Sequence, residues 1–158
     1  MNPIANALGY RWLITRDGDP RVSAIFRRHY SAYQYRDGRL QNTNYRNRHL
    51  CVGPGEKMVL ISVDGCAIFA WRKFIDDSGQ QGINCAFFRN EGAFGGAVLS
   101  SALIREAEAL AWQRWPGERL YTYVNTRAVG GDGCCFKKAG WRKCGRSQSG
   151  KLILEKLP

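Results

Sequence analysis

The side chains best suited to chemistry fall in a few short clusters. His29-Tyr30-Ser31 sets an imidazole, a phenol and a hydroxyl side by side. Imidazole titrates near neutrality and binds metals when neutral, so His29 could act as a base or a ligand. A lone inward histidine is also a common hydrogen-bonded core residue. Arg89-Asn90-Glu91 places a guanidinium beside a carboxylate. Arg89 could clamp a phosphate or carboxylate through its fork, and Glu91 could accept a proton from an attacking amine. The same two residues could instead form a surface ion pair of small value, or Glu91 could favour the start of the helix that follows. Tyr123 and Asn125 stand at the C-terminal end of an expected central strand, a usual place for ligand contacts in α/β sheets; ordinary sheet packing and a turn-forming Asn are the alternative. Cys135 is the thiol to consider as a nucleophile, although no activating base is identifiable beside it and buried packing thiols are commoner.

A glycine-rich run, residues 89–97, leads into a helix. A helix N-terminus presents unpaired N–H groups and a positive dipole end, and glycines let an anion approach them. Gly92, Gly95 and Gly96, flanked by Asn90 and by Ser100 and Ser101 of the first helical turn, could therefore cradle the pyrophosphate of an acyl-coenzyme A. The two serines could equally bond back to their own helix, and such turns are also ordinary connections. Over 33–49 the periodicity vanishes, and Tyr33, Tyr35 and Tyr45 interleave with Arg36, Arg39, Arg46 and Arg48. Long loops are uncommon unless functional or disordered. Arginines hold phosphates and tyrosines stack on exposed bases, so this loop is a candidate nucleic-acid contact; a solvated loop with locally packed tyrosines is the alternative.

The elements that must position these groups follow from periodicity. Asp19-Pro20 opens a helix, as a cap and a first-turn proline. Val22, Ile25, Phe26 and His29 then recur at helical spacing, which turns His29 inward. Met58–Val63 and Cys66–Trp71 read as strands joined by an Asp64-Gly65 hairpin turn, and Gly82–Phe88 as a third. A helix from about Val98 to Trp115 carries Leu99, Leu103, Ala107, Leu110 and Ala111 inward, with Arg105, Glu106, Glu108, Gln113 and Arg114 mainly outward, and Pro116-Gly117 stops it. Arg119–Val124 is a strand, Cys134–Ala139 a short helix and Lys151–Lys156 a final strand. This order describes an α/β (α+β) domain with a mixed sheet.

The chain of 158 residues carries 24 Lys+Arg against 13 Asp+Glu, a formal net charge of +11, on a 44% hydrophobic background. That apolar share excludes disorder, and no apolar stretch is long enough to span a membrane. A single domain over 1–158 with a sizeable core is expected. Met1–Tyr10 shows no export signal, so a cytoplasmic location is expected. The six cysteines lack a C-x-x-C pair, which favours reduced thiols over disulfides or a zinc site. The excess of positive charge favours a polyanionic partner, nucleic acid first.

The element order resembles the GNAT N-acetyltransferase superfamily, whose pyrophosphate loop has the pattern Gln/Arg-x-x-Gly-x-Gly/Ala. Arg89, Gly92 and Phe94 occupy those places, the last departing from the pattern. Cys135-Phe136-Lys137-Lys138-Ala139-Gly140-Trp141 resembles the end of that fold, with Trp in place of Phe. Four patches together, His29-Tyr30-Ser31, Phe88-Arg89-Asn90-Glu91 followed by Leu99-Ser100-Ser101, Thr122-Tyr123-Val124-Asn125, and Cys135 to Trp141, resemble the phage Mom family of DNA-modifying proteins from about Asp19 onward. That resemblance implies DNA as acceptor, adenine N6 as the modified atom, a carbamoylmethyl-type addition that protects phage DNA from restriction, and the cytoplasm of an infected bacterium as the location. It implies Phe88, Cys135 and Phe136 among the donor-binding residues, and iron, with His29 and Tyr30 as the matched ligands. Donor candidates are acetyl-coenzyme A or another acyl or amide donor. An acetyl-coenzyme A-dependent enzyme acting on a small amine or a protein, and a non-catalytic nucleic-acid-binding protein, are the alternatives.

Overall fold

A computed structural model describes residues 11–29, 50–75, 78–126 and 133–158. The local signals act where the turn chemistry predicts. Asp19 caps helix α1 (Pro20–Phe26) by accepting from the Arg21 N–H, with the proline in its first turn. Strands β2 (Glu56–Ser62) and β3 (Ala67–Lys73) form the expected hairpin, and β4 (Ile83–Asn90) pairs antiparallel with β3. A 3-10 turn (Ala93–Gly96) precedes the long helix α2 (Ser100–Arg114). Strand β5 (Leu120–Val124), helix α3 (Cys134–Lys138) and strands β6 (Arg142–Arg146) and β7 (Leu152–Lys156) complete the order.

Strand β1 (Trp12–Thr15) and β6 escape the sequence reading. Each is short, and β6 alternates no apolar residues because it is an exposed edge of charged side chains. With them the sheet has, among the described residues, seven strands in the order β1-β2-β3-β4-β5-β7-β6. All neighbours are antiparallel except β4 and β5. Period-two alternation divides the core between the two faces. Leu60, Phe69 and Trp71 pack toward α2 and α3, whereas Val59, Ile61, Ile68 and Phe87 pack toward Val22, Ile25 and Phe26 of α1. No helix among the described residues is long and apolar enough to cross a membrane.

Tryptophan indoles fix α2 on the sheet. Trp12 and Trp71 donate to the Leu103 and Ala107 carbonyls, at 2.8 and 2.9 Å, one helical turn apart. A buried indole N–H needs an acceptor, so these bonds set both the height and the rotation of the helix. Two side chains depart from the expected helix faces. Leu99 is the residue before α2 and is 72% exposed. Glu108 points inward, where its carboxylate takes the Trp141 indole N–H at 2.7 Å and the Lys156 ammonium at 2.6 Å. Helical spacing alone cannot anticipate a buried ion pair, because its partner lies 48 residues away.

The sheet opens where the parallel strands part. β4 and β5 pair only over Ile83–Cys85 and Leu120–Thr122. At their entry they are locked together: Gly82 has φ +120°, and a Cβ there would stand 2.3 Å from the Arg119 carbonyl oxygen. Ala70 faces Phe87 and Trp71 faces Cys85, so Ala86 is an extra residue in β4. A bulge of this kind bends its strand. β5 keeps its full ladder to β7, so it cannot follow β4, and a wedge results.

Candidate functional site

The wedge holds a cavity of about 450 Å³ that crosses the sheet. On the α2/α3 side it is lined by Phe88, Ser100, Ser101, Cys135, Phe136 and Lys138; His29, Phe87 and Tyr123 line the opposite side. Cys85, Ala86, Thr122 and Val124 form the walls where the strands separate, and Leu99, Gly133 and Cys134 stand at its margin.

His29 comes to this cavity from the turn after α1, 6% exposed, its ring stacked on Phe26 with centroids 6.2 Å apart. Burial, reinforced by the Arg89 charge and opposed by a hydrogen bond with the Phe88 backbone, pushes its pKa down to about 4. The imidazole is therefore neutral at pH 7, with a lone pair in a site shielded from water. Arg89 and Glu91 stand behind it. Glu91 accepts from the Arg28 guanidinium at 2.7 Å and from Arg89 Nε at 2.7 Å. The Arg28 bond, helped by Arg89, pulls the carboxyl down to about pKa 2 against the smaller opposition of burial. So weak a base, spent in two ion pairs, is poorly suited to take a proton from an amine. Glu91 instead ties the end of β4 to the turn that carries His29.

The glycine run is a backbone device. Gly92, Gly95 and Gly96 all have positive φ, and a Cβ at any of them would meet open space. Glycine is thus required for conformation rather than for close packing. Phe94 shares the left-handed geometry at φ 58°, a strained state for an aromatic residue. Two side chains hold it there. Asp64, at the β2–β3 turn, accepts the Phe94 N–H at 2.6 Å, and Asn90 accepts the Ala93 N–H at 2.9 Å while donating to Ser100 Oγ at 3.1 Å. Among the described residues no side chain caps the N-terminus of α2, and with the Ala102 and Leu103 N–H groups turned to the Leu99 carbonyl those of Ser100 and Ser101 remain for an anion. Replacing Asp64 with Ala should lower stability by about 1–2 kcal/mol and release the Phe94 turn; faster amide exchange over 92–97 in the variant checks this, and unchanged exchange would discount the clamp.

Tyr123 extends from the parted end of β5, its hydroxyl 3.0 Å from Ser78 Oγ and its ring edge-on to Tyr121. Asn125 follows β5 but does not line the cavity, nor do Arg89, Asn90, Glu91 and the three loop glycines. Burial raises the thiols of Cys85 and Cys135 above their usual range, which disfavours Cys135 as a nucleophile. Tyr30, Ser31, Tyr33, Tyr35, Arg36, Arg39, Tyr45, Arg46 and Arg48 lie outside the described residues. The iron that the phage Mom resemblance implies does not fit the rest: among the described residues no three His, Cys, Asp or Glu side chains gather as a ligand set. The Arg89 charge felt by His29 also opposes a cation there.

Of the lining, Cys85, Ala86, Phe87, Gly133 and Cys134 escape the sequence reading, while Leu99, Thr122, Val124 and Lys138 enter it only as members of the patches that carry the family resemblance. Adjacency is a further signal for two of these: when two strands part, consecutive residues reach the gap from both faces, so Tyr123 brings Thr122 and Val124 with it.

Among solved structures, the chain is similar to the GNAT domain of S. lividans PAT, with a TM-score of 0.60 and 18% identity over 93% of this chain and 89% of that one. It is also similar to aminoglycoside acetyltransferase AAC(6')-Ib, solved in complex with coenzyme A, with a TM-score of 0.59 and 14% identity over 92% of this chain and 93% of that one. At these identities the likeness establishes the fold, which is that of the GNAT acetyltransferases. No protein-family model and no curated protein matches the chain. Neither of the two structures is a phage Mom protein, so that narrower resemblance rests on the sequence patches.

Proposed function

We propose that this protein is an acyltransferase that uses a coenzyme A thioester and modifies an amine of DNA, the exocyclic N6 of adenine. The observation that carries the donor is the largely apolar cavity in the wedge between β4 and β5, with the uncapped N-terminus of α2 at its edge. The first N–H groups of α2 suit the donor's phosphates, while Phe88, Val124 and Phe136 suit an extended apolar arm. A bound thioester would supply an electrophilic carbonyl, and its C–S bond would break as the amide forms, the sulfur leaving as the free thiol with a proton from solvent.

The chain's own residues would do the rest. Neutral His29 accepts a proton from the attacking amine on the α1 side of the wedge. The Arg28–Glu91–Arg89 cluster holds the turn bearing that imidazole. Tyr123 offers a hydroxyl at the same opening. Adenine as acceptor rests on the phage Mom resemblance and the net charge of +11. An atom engaged in base pairing must be exposed by flipping the base or by opening the strand. The similarity to an aminoglycoside acetyltransferase favours a second reading, a small-amine acceptor.

Mass spectrometry of nucleosides digested from plasmid DNA of expressing cells tests the proposal. A heavier deoxyadenosine is expected with the native chain and should vanish with His29→Ala and Arg89→Ala. Unaltered nucleosides despite abundant folded protein would overturn the DNA acceptor and leave the small amine as the reading to test by turnover.

A further inference from the structure

Across most of the structure the basic residues are matched by carboxylates. Arg11 pairs with Glu106, Arg21 with Asp19, Arg28 and Arg89 with Glu91, and Lys73 with Glu118. The C-terminal part differs. Between Cys134 and Lys151 the chain carries six Lys or Arg residues and no Asp or Glu. Glu155, beyond that stretch, is held by Arg119 at 2.6 Å and reaches Arg142 only at 3.4 Å. Among the described residues no carboxylate lies within ion-pair distance of Lys138, Lys143, Arg146 or Lys151, and all four are exposed.

The sheet register places these charges together. Lys143 stands opposite Leu154 and Arg146 opposite Leu152, with a register shift between them at Cys144. Both leucines belong to the core under α2 and α3. Directly opposed residues share a face, so Lys143 and Arg146 stand on the α3 side of the outer strand. α3 begins against the same Leu154, since a Cβ on Gly133 would lie 2.6 Å from its Cδ1. Lys138, near the end of α3, lines the cavity. Among the described residues Lys138, Lys143, Arg146 and Lys151 therefore form a strip of positive charge without a carboxylate partner, from the cavity rim at the end of α3 to β6 and around the hairpin. Charged edge strands also guard against aggregation, but that role does not require charge to continue onto a helix and up to a cavity. Protein partners are usually anchored by exposed aromatic or aliphatic side chains. None of the large exposed hydrophobic residues, Leu50, Val63, Phe74, Ile75, Leu99 and Leu157, falls between 134 and 151.

We propose that this strip is a DNA-backbone contact surface, on which phosphates flanking the target base rest while that base enters the wedge. The proposal depends on the DNA-acceptor reading for the wedge and adds a second phosphate-binding surface to the 33–49 loop. Fluorescence anisotropy with a labelled duplex of about 30 base pairs tests it on the chain of residues 1–158. Lys143→Glu/Arg146→Glu should weaken binding at least tenfold and reduce the salt dependence, log Kd against log salt, by about two. Lys143→Gln/Arg146→Gln should move both readouts in the same direction, with melting temperatures confirming that each variant folds. Arg16→Glu, exposed on the far side of the described sheet at β1, carries the same charge change as Lys143→Glu and should leave binding within about twofold of the native chain. Equal losses in these two single variants would show that net charge alone acts and overturn the strip. Native-like binding by the double variants would overturn it too, leaving the DNA acceptor intact. A native chain that binds neither duplex nor single-stranded DNA would overturn both.

Discussion

Glu108→Ala should destabilise the protein by about 3 kcal/mol or more, the low end of the cost of breaking a buried ion pair. Glu108 is 2% exposed and receives both the Trp141 indole and the Lys156 ammonium. Its removal strands two donors. Lys156 keeps the Ala139 carbonyl at 2.7 Å and some contact with water, its side chain being 25% exposed, which keeps the loss from reaching the upper end of that range. Trp141 is buried with no second acceptor among the described residues, and an unmade buried hydrogen bond costs about 1–3 kcal/mol. Glu108→Gln retains an acceptor for the indole and should fall between the alanine variant and the native chain. Urea titration of the three proteins checks the ordering. An alanine variant within 1 kcal/mol of the native chain would mean that the α2–β7 connection described above does not hold the fold.

His29 should make stability depend on pH in a window of its own. In the unfolded chain its imidazole protonates near pH 6.5; in the folded chain protonation waits until about pH 4. Between those values the unfolded state binds more protons, so folding free energy falls as the pH drops, by about 3 kcal/mol in all. His29→Asn should remove that slope. Arg89→Gln should narrow the window from below, because the Arg89 charge helps to depress the folded value. The carboxylates act elsewhere. Asp19, Asp64, Glu91 and Glu155 are all held below their usual range, so their contribution is complete above pH 4.5 and is lost only as the pH falls further. Denaturant midpoints measured from pH 7 down to pH 4 separate the two groups. A native chain with no slope between pH 6.5 and pH 4.5 would place His29 in water rather than in the cavity wall.

Much of this architecture could be read from local chemistry. Asp19-Pro20 opens a helix and Asp64-Gly65 turns a hairpin because capping and turn geometry depend on a few consecutive residues. Leu103, Ala107 and Leu110 announce the inner face of α2 because helical spacing is a property of one segment. The placement of His29 was legible in the same way: its position on the Val22–Phe26 stripe turned it inward, and there it reaches the cavity. Glu91 was visible as a polar residue near a glycine turn, but its two arginine partners, one of them 63 residues away, decide that it clamps rather than accepts protons. Glu108 was misplaced for the same reason. The wedge itself has no local signature. It exists because Gly82 locks the entry of β4 to β5, Ala86 bulges against β3, and β5 stays bonded to β7, three pairings between distant segments. Sequence periodicity records which face of a segment is apolar, whereas the gap between two strands arises only when each has been committed to a different neighbour.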